Sequence, residues 1–239
     1  MKAILFDLDG TLLPMDQDRM IQDYISRFAR FMSSFGYPPE KFSQWLWSAT
    51  GAMMKNQGEE TNETVFWKHF TALSGRSRET AETASLEFYQ NDFQQVKNCC
   101  GCNPLAAETI RQLRQGGYIL ILATNPLFPA VATHSRIHWA GLSTDDFEWI
   151  TTYENSSFCK PNPAYYREIL EKLDLHPTEC LMIGNDVEED MIAETLGMKT
   201  FLLTDCLINK HNRDIDCFRH GSFPELMEYI RSIQQKTAF

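Results

Sequence analysis

Short apolar runs of strand type alternate with amphipathic helical segments, and this alternation constrains the fold more than any other feature of the chain. The runs are Lys2–Phe6, Tyr118–Ala123, Glu148–Thr152, Cys180–Ile183 and Thr200–Leu203. Strand, helix and strand in repetition predict an α/β fold, a parallel sheet with helices covering its faces. The helices have legible ends. Pro104 to Gln115 stops at Gly116-Gly117, Pro163 to Leu173 follows a Pro-rich start, and Phe223 to Ile233 follows Ser222 as its N-cap.

About a hundred residues separate the first two runs, and a simple crossover between parallel strands needs only a dozen or so. The stretch contains no convincing strand. Met20, Ile21, Tyr24, Ile25, Phe28, Phe31, Met32 and Phe35 recur at three- and four-residue spacing until Pro38-Pro39 breaks the pattern. Phe42, Trp45, Leu46 and Ala49 begin a second helix, Val65, Phe66, Phe70 and Leu73 a third, and Leu86, Tyr89 and Phe93 a fourth. The expectation is a small helical bundle with its own core, inserted at residues 14–97 into a sheet domain made of residues 1–13 and 98–239. With 239 residues and 43% hydrophobic content the chain can bury both. Trp47, Met54, Trp67 and His69 lie in the insertion and could read a ligand, but aromatic and Met residues at helical spacing belong more often to a core.

A net charge of −10 and the absence of a clustered Lys/Arg surface argue against nucleic acid as a partner. The apolar start is interrupted at Asp7 and Asp9, too early for a signal sequence, and no later stretch is long enough to span a bilayer. A soluble, cytoplasmic protein with no membrane partner is expected; the oligomeric state is not legible. Seven cysteines in such a chain read as reduced thiols. Cys99 and Cys102, with Cys100 between them, form a C-x-x-C, but zinc would need a second ligand pair. His134 and His138 are spaced i, i+4 without a third ligand, so a surface or packing role is expected.

In open parallel sheets ligands bind beyond the carboxyl ends of the strands. The first run ends in Asp7-Leu8-Asp9-Gly10-Thr11 and the second in Thr124-Asn125; Lys160 follows the third, and Gly184-Asn185-Asp186 with Glu188, Glu189 and Asp190 follows the fourth. Asp-Gly alone is a turn signal, and Asp7 and Asp9 could be turn or capping residues. Together with Asp186 and Asp190, however, they would converge on one sheet edge, where like charges are costly without a compensating cation or proton. Oxygen ligands without His or Cys favour Mg²⁺.

These four segments, in this order, resemble the motifs of the haloacid dehalogenase superfamily: a D-x-D-G-T loop, a strand-terminal Thr or Ser, a Lys, and an acidic loop. The resemblance implies a Rossmann-like core, with the inserted helices as a cap between the first and second motifs. It implies that Asp7 is the nucleophile that forms an aspartyl-phosphate. Asp9 would be the general acid and base, with its backbone carbonyl on the metal. Thr124, helped by Asn125, would bind the phosphoryl group, and Lys160 would neutralise it and the nucleophile. Asn185 departs from the family's commoner Asp, which makes Asp186 the leading metal ligand beside Asp7 and Asp9. Asp190 would be either a further ligand or the partner that holds Lys160. Glu188 and Glu189 are expected to face solvent in a first helical turn.

The expected function is Mg²⁺-dependent hydrolysis of a small phosphate monoester from a phosphorylated metabolite. A phosphomutase acting on a phosphorylated sugar would use the same Asp pair, and a non-catalytic regulatory protein could keep the same fold. A dehalogenase is disfavoured, because the resembling dehalogenases lack an acid at the position of Asp9 and need no metal.

Overall fold

The computed structural model describes residues 1–237. Six parallel strands stand in the order β3-β2-β1-β4-β5-β6. They are β1 (Ala3–Phe6), β2 (Ile119–Leu122), β3 (Trp149–Ile150), β4 (Cys180–Gly184), β5 (Lys199–Leu203) and β6 (His220–Gly221). The five expected strands are present with ends moved by one or two residues, and β6 is an addition. Two residues are too few to show alternation.

Neighbouring side chains of β1 point to opposite faces, as the pleat requires. Ile4 and Phe6 join one buried cluster with Leu120, Leu122, Leu181 and Ile183, while Ala3 and Leu5 join another with Ile121 and Met182. Helices α5 (Pro104–Gln115), α6 (Ala130–Trp139) and α8 (Phe223–Thr237) contribute to the first cluster, and α7 (Pro163–Lys172) to the second. β1 and β4 are buried along their whole length on both faces, which explains why their runs are continuously apolar. Ser222 does not cap α8 by accepting with its side chain. Instead Glu225 reaches back and accepts from the Ser222 N–H at 2.7 Å and from its hydroxyl at 2.6 Å.

Between β1 and β2 lie α1 (Gln17–Ser33), α2 (Pro39–Met54), α3 (Asn62–Ser74) and α4 (Arg78–Gln90). Asp16 caps α1 by accepting from the Arg19 N–H at 3.1 Å. The fourth helix is shorter than its apolar spacing suggested: Phe93 falls in a 3₁₀ segment, Asp92–Cys99. The aromatic residues of these helices are also not a separate core. Tyr24, Phe28, Phe42, Phe70 and Phe88 belong to the same buried cluster as Ile4 and Phe6. Trp67 is buried, whereas Trp47 and Met54 are 53% and 49% exposed, against the expectation of a core position. The chain leaves the sheet and returns at one place, where Met15 bridges to Cys100 and the Gly101 N–H donates to the Pro14 carbonyl at 2.7 Å.

All seven cysteines are free thiols. His134 is half-buried and His138 exposed on α6. No helix among the described residues is long and apolar enough to cross a membrane.

Candidate active site

The strand order reverses between β1 and β4: the chain steps outward from β1 to β3 and comes back to β4 on the other side of β1. Such a switch point leaves a crevice beyond the strand ends, because the loops there diverge to opposite faces. Asp7 stands at its centre as the direct continuation of β1, with its N–H donating to the Ile183 carbonyl at 2.9 Å. The loop after Asp9 turns tightly. Gly10 has φ 85°, and a Cβ there would collide with the Asn185 amide, so the position needs glycine twice over.

Lys160 ties the expected site together. Its Nζ donates to Asp7 Oδ1 at 2.9 Å and to Asp190 Oδ1 at 2.7 Å, with the lysine side chain 1% exposed. Burial on its own would lower the pKa of the ammonium, but Asp190 and Asp7 outweigh this and raise it well above the ordinary value. The second oxygen of Asp190 accepts from the Asp186 N–H at 2.9 Å. Both oxygens of Asp190 are therefore engaged, an arrangement that matches the alternative in which it holds Lys160.

Asn185 uses its amide in both directions. Its Oδ1 accepts from the Thr11 hydroxyl at 3.0 Å and its Nδ2 donates to the Cys206 carbonyl at 2.7 Å. A carboxylate could make the first bond but not the second, which gives a physical reason for Asn where the family more often has Asp. The neighbouring Asp186 uses Oδ1 to accept from the N–H groups of Glu188 and Glu189 at 2.8 and 2.9 Å.

Thr124 is buried beside Asp7's strand end, with its carbonyl fixed by the hydroxyls of Thr151 at 2.7 Å and Tyr165 at 2.9 Å. Asn125 donates to Glu189 Oε2 at 3.0 Å, so Glu189 turns inward rather than to solvent. The reason is local: the residues from Asp186 to Asp190 form a turn before the 3₁₀ segment Met191–Leu196, not the first turn of an α-helix. Burial pushes the Glu189 pKa up to about 7, with Lys160 opposing.

One residue was not anticipated. Arg136, on α6 and 1% exposed, pairs with Asp9 Oδ2, lies with its guanidinium 4.4 Å from the centre of the Phe128 ring, and donates to the Thr133 hydroxyl at 3.3 Å. The other oxygen of Asp9 is buried without a partner. A signal existed in the sequence: Arg136 stands on the buried stripe of α6 with Ala132, Thr133 and Ile137, where a charge demands a partner.

The carboxylates outnumber the cations at this edge. Burial pushes Asp7 up to about 8, with Lys160 opposing and Asp190 and Asp9 adding to the rise. Burial likewise raises Asp9, against Arg136 and Lys160. A hard divalent cation fits this deficit, because it would favour the charged form of Asp7 against its burial. Asp7, Asp186 and the Asp9 carbonyl are the oxygen donors available, the last now accepting from Gln17 Nε2 at 3.1 Å. Among the described residues no three His, Cys, Asp or Glu side chains make a ready metal cage, so water and substrate oxygens would have to fill the remaining positions, as Mg²⁺ prefers.

The family model for haloacid dehalogenase-like hydrolases matches residues 1–193. The chain belongs to this family. Among its relatives this hydrolase is 26% identical over 204 residues to a phosphoglycolate phosphatase of Vibrio vulnificus, covering 85% of the chain and 83% of the relative. Its fold is similar to that of a family phosphatase from Thermococcus onnurineus, with TM-score 0.59, 20% identity and coverage of 96% and 98%. It is also similar to a family enzyme from Bacteroides thetaiotaomicron in complex with magnesium and inorganic phosphate, with TM-score 0.51, 17% identity and coverage of 88% and 98%. The expectation of a phosphatase agrees with the names of these relatives.

Proposed function

We propose that this hydrolase is a Mg²⁺-dependent phosphatase that cleaves a small phosphate monoester through an aspartyl-phosphate on Asp7. The observation that carries the reading is the buried Asp7–Lys160–Asp190 chain at the switch point of the sheet. In it a carboxylate of the kind that serves as a nucleophile stands beside a buried positive charge, with Thr124 at the neighbouring strand end. The helices between β1 and β2 act as the cap, residues 14–97, over the core of residues 1–13 and 98–239.

Asp7 attacks phosphorus as the ester P–O bond breaks, and Lys160 offsets the charge gathering on the phosphoryl oxygens. Thr124 and the amide of Asn125 orient those oxygens. Asp9 hands its proton to the departing alkoxide and then takes one from the water that opens the acyl phosphate. With Oδ2 of Asp9 held by Arg136, its unpartnered Oδ1 is the oxygen left to exchange that proton. Mg²⁺, when bound by Asp7, Asp186 and the Asp9 carbonyl, would supply the charge that keeps Asp7 ionised and the phosphoryl group anchored. Asp190 holds Lys160. The magnesium and inorganic phosphate in the complex of the Bacteroides family enzyme support the use of Mg²⁺.

Hydrolysis of 4-nitrophenyl phosphate with Mg²⁺ and with EDTA, by the natural chain and by Asp7→Asn, tests it. Turnover should require the metal and fall by about 10⁴-fold or more in the variant, the scale of losing a covalent nucleophile. Metal-independent turnover, or an active Asp7→Asn, would overturn it.

A further inference from the structure

Helices α1 to α4 and the loops after β2 and β3 enclose a cavity of about 290 Å³. Tyr24, Phe28, Trp67, Phe128 and Tyr153 form much of its wall. Its lining also includes Trp47 on α2 and Leu86 on α4, which are 53% and 46% exposed, so two large apolar side chains stand where the cavity meets solvent, beside the half-buried Glu82. Isolated apolar residues at a surface mean little, but two at the entrance of an aromatic cavity form a path for an apolar group.

The charged residues of the lining are Glu63, Glu82 and Glu154. Each already has a partner. Arg78 pairs with both Glu63 and Glu82, and Glu154 accepts from the Ala130 N–H at the start of α6 at 2.8 Å. The two cations of the nearby site are engaged as well, Lys160 by Asp7 and Asp190 and Arg136 by Asp9. Among the described residues an anionic guest would meet carboxylates and no free cation in this lining, and a cationic guest would have to break existing bonds. The cavity suits an uncharged guest.

Phe128 joins this cavity to the site. Its ring lines the space on one side, and the Arg136 guanidinium that binds Asp9 lies against it. The bridging oxygen of an ester attacked by Asp7 has to sit beside Asp9, and from Asp9 the Arg136 guanidinium and the Phe128 ring lead in turn to the cavity. An apolar cavity of about 150 Å³ holds benzene; this one has roughly the room for a two-ring group.

We propose that the cavity receives the leaving group, and that the substrate is the phosphate monoester of an uncharged alcohol bearing a bulky, aromatic or similarly apolar body. This rests on the phosphatase reading. It also separates the chain from its Vibrio relative, because glycolate is small and carries a carboxylate.

The test compares ethyl phosphate, phosphoglycolate and 2-(2-naphthyl)ethyl phosphate with the full chain and Mg²⁺; all three leave as alkoxides. The naphthylethyl ester should exceed ethyl phosphate in kcat/KM by about 100-fold, the scale of burying two rings, and phosphoglycolate should do no better than ethyl phosphate. Ser85→Phe, which fills the cavity from α4, should cut that ratio at least tenfold. Should that variant not fold, 2-(2-naphthyl)ethanol should bind the natural chain by calorimetry and inhibit competitively against the naphthylethyl ester. Equal kcat/KM for the three esters, preference for phosphoglycolate, or non-competitive inhibition would overturn the pocket assignment while leaving the phosphatase reading intact. No hydrolysis of any ester, with naphthylethanol still binding, would overturn the phosphatase reading and the substrate class with it.

Discussion

Lys160 and Phe28 are 1% and 3% exposed, in the same chain, and are held in opposite ways. Lys160 has two partners at hydrogen-bond distance, from strand ends far apart in sequence, and both partners carry the charge that makes its burial tolerable. Phe28 touches Tyr24, Phe42, Phe88 and Tyr89 at centroid distances from 4.2 to 5.7 Å and interplanar angles from 11° to 74°. At the sheet edge chemical identity is fixed atom by atom; among the helices volume and apolarity are fixed, and geometry is loose. The difference teaches where function can change. A new leaving group needs only a new shape among the helices, while a new reaction would need a rebuilt edge.

Substitutions sharpen this contrast. Lys160→Met should have the largest effect: it strands Asp7 and Asp190 without a cation, destabilising the fold by about 3–5 kcal/mol in urea unfolding. It should also remove about 10³-fold or more of the turnover. A fully stable Lys160→Met protein would break the distinction. Arg136→Met should act in between, and selectively. Alkyl phosphates, whose leaving group needs a proton, should slow by about 10²-fold. 4-Nitrophenyl phosphate, whose leaving group departs as a stable anion, should slow much less. Equal slowing of both esters would show that Arg136 serves folding and not Asp9. Phe88→Leu should have the smallest effect, about 1–1.5 kcal/mol in thermal or urea unfolding, because it replaces a buried ring by a slightly smaller apolar group. A loss as large as that of Lys160→Met would mean that the helices are as exacting as the edge.

The sheet could be read from the sequence because strands buried on both faces are continuous apolar runs, and the helices because their spacing repeats. The candidate site residues Asp7, Asp9, Thr124 and Asp186 were read for a related reason: each stands within three residues of the carboxyl end of a strand, and Lys160 lies in the loop between β3 and α7, where ligands bind in such sheets. Arg136 was not, since it comes from the middle of α6 and its meaning depends on Asp9, 127 positions away. Glu189 was misplaced because a turn and the first turn of a helix look alike in an acidic run. Trp47 stands next to the buried Leu46 on α2 and Met54 next to the buried Met53, and spacing alone does not tell a core position from an exposed one or, for Trp47, from the lining of a cavity.

The crossing at Pro14–Met15 and Cys100–Gly101 has a mechanical consequence. Both linkers to the helices pass through one point, so a rotation of the helices away from the sheet would turn about a single pin. The aromatic cavity takes part of its wall from each side of that pin, Tyr24 and Trp67 from one and Phe128 and Tyr153 from the other. Opening the door and dismantling the room would then be the same movement: a guest too large for the exposed mouth at Trp47 and Leu86 would leave as the surface that selected it came apart.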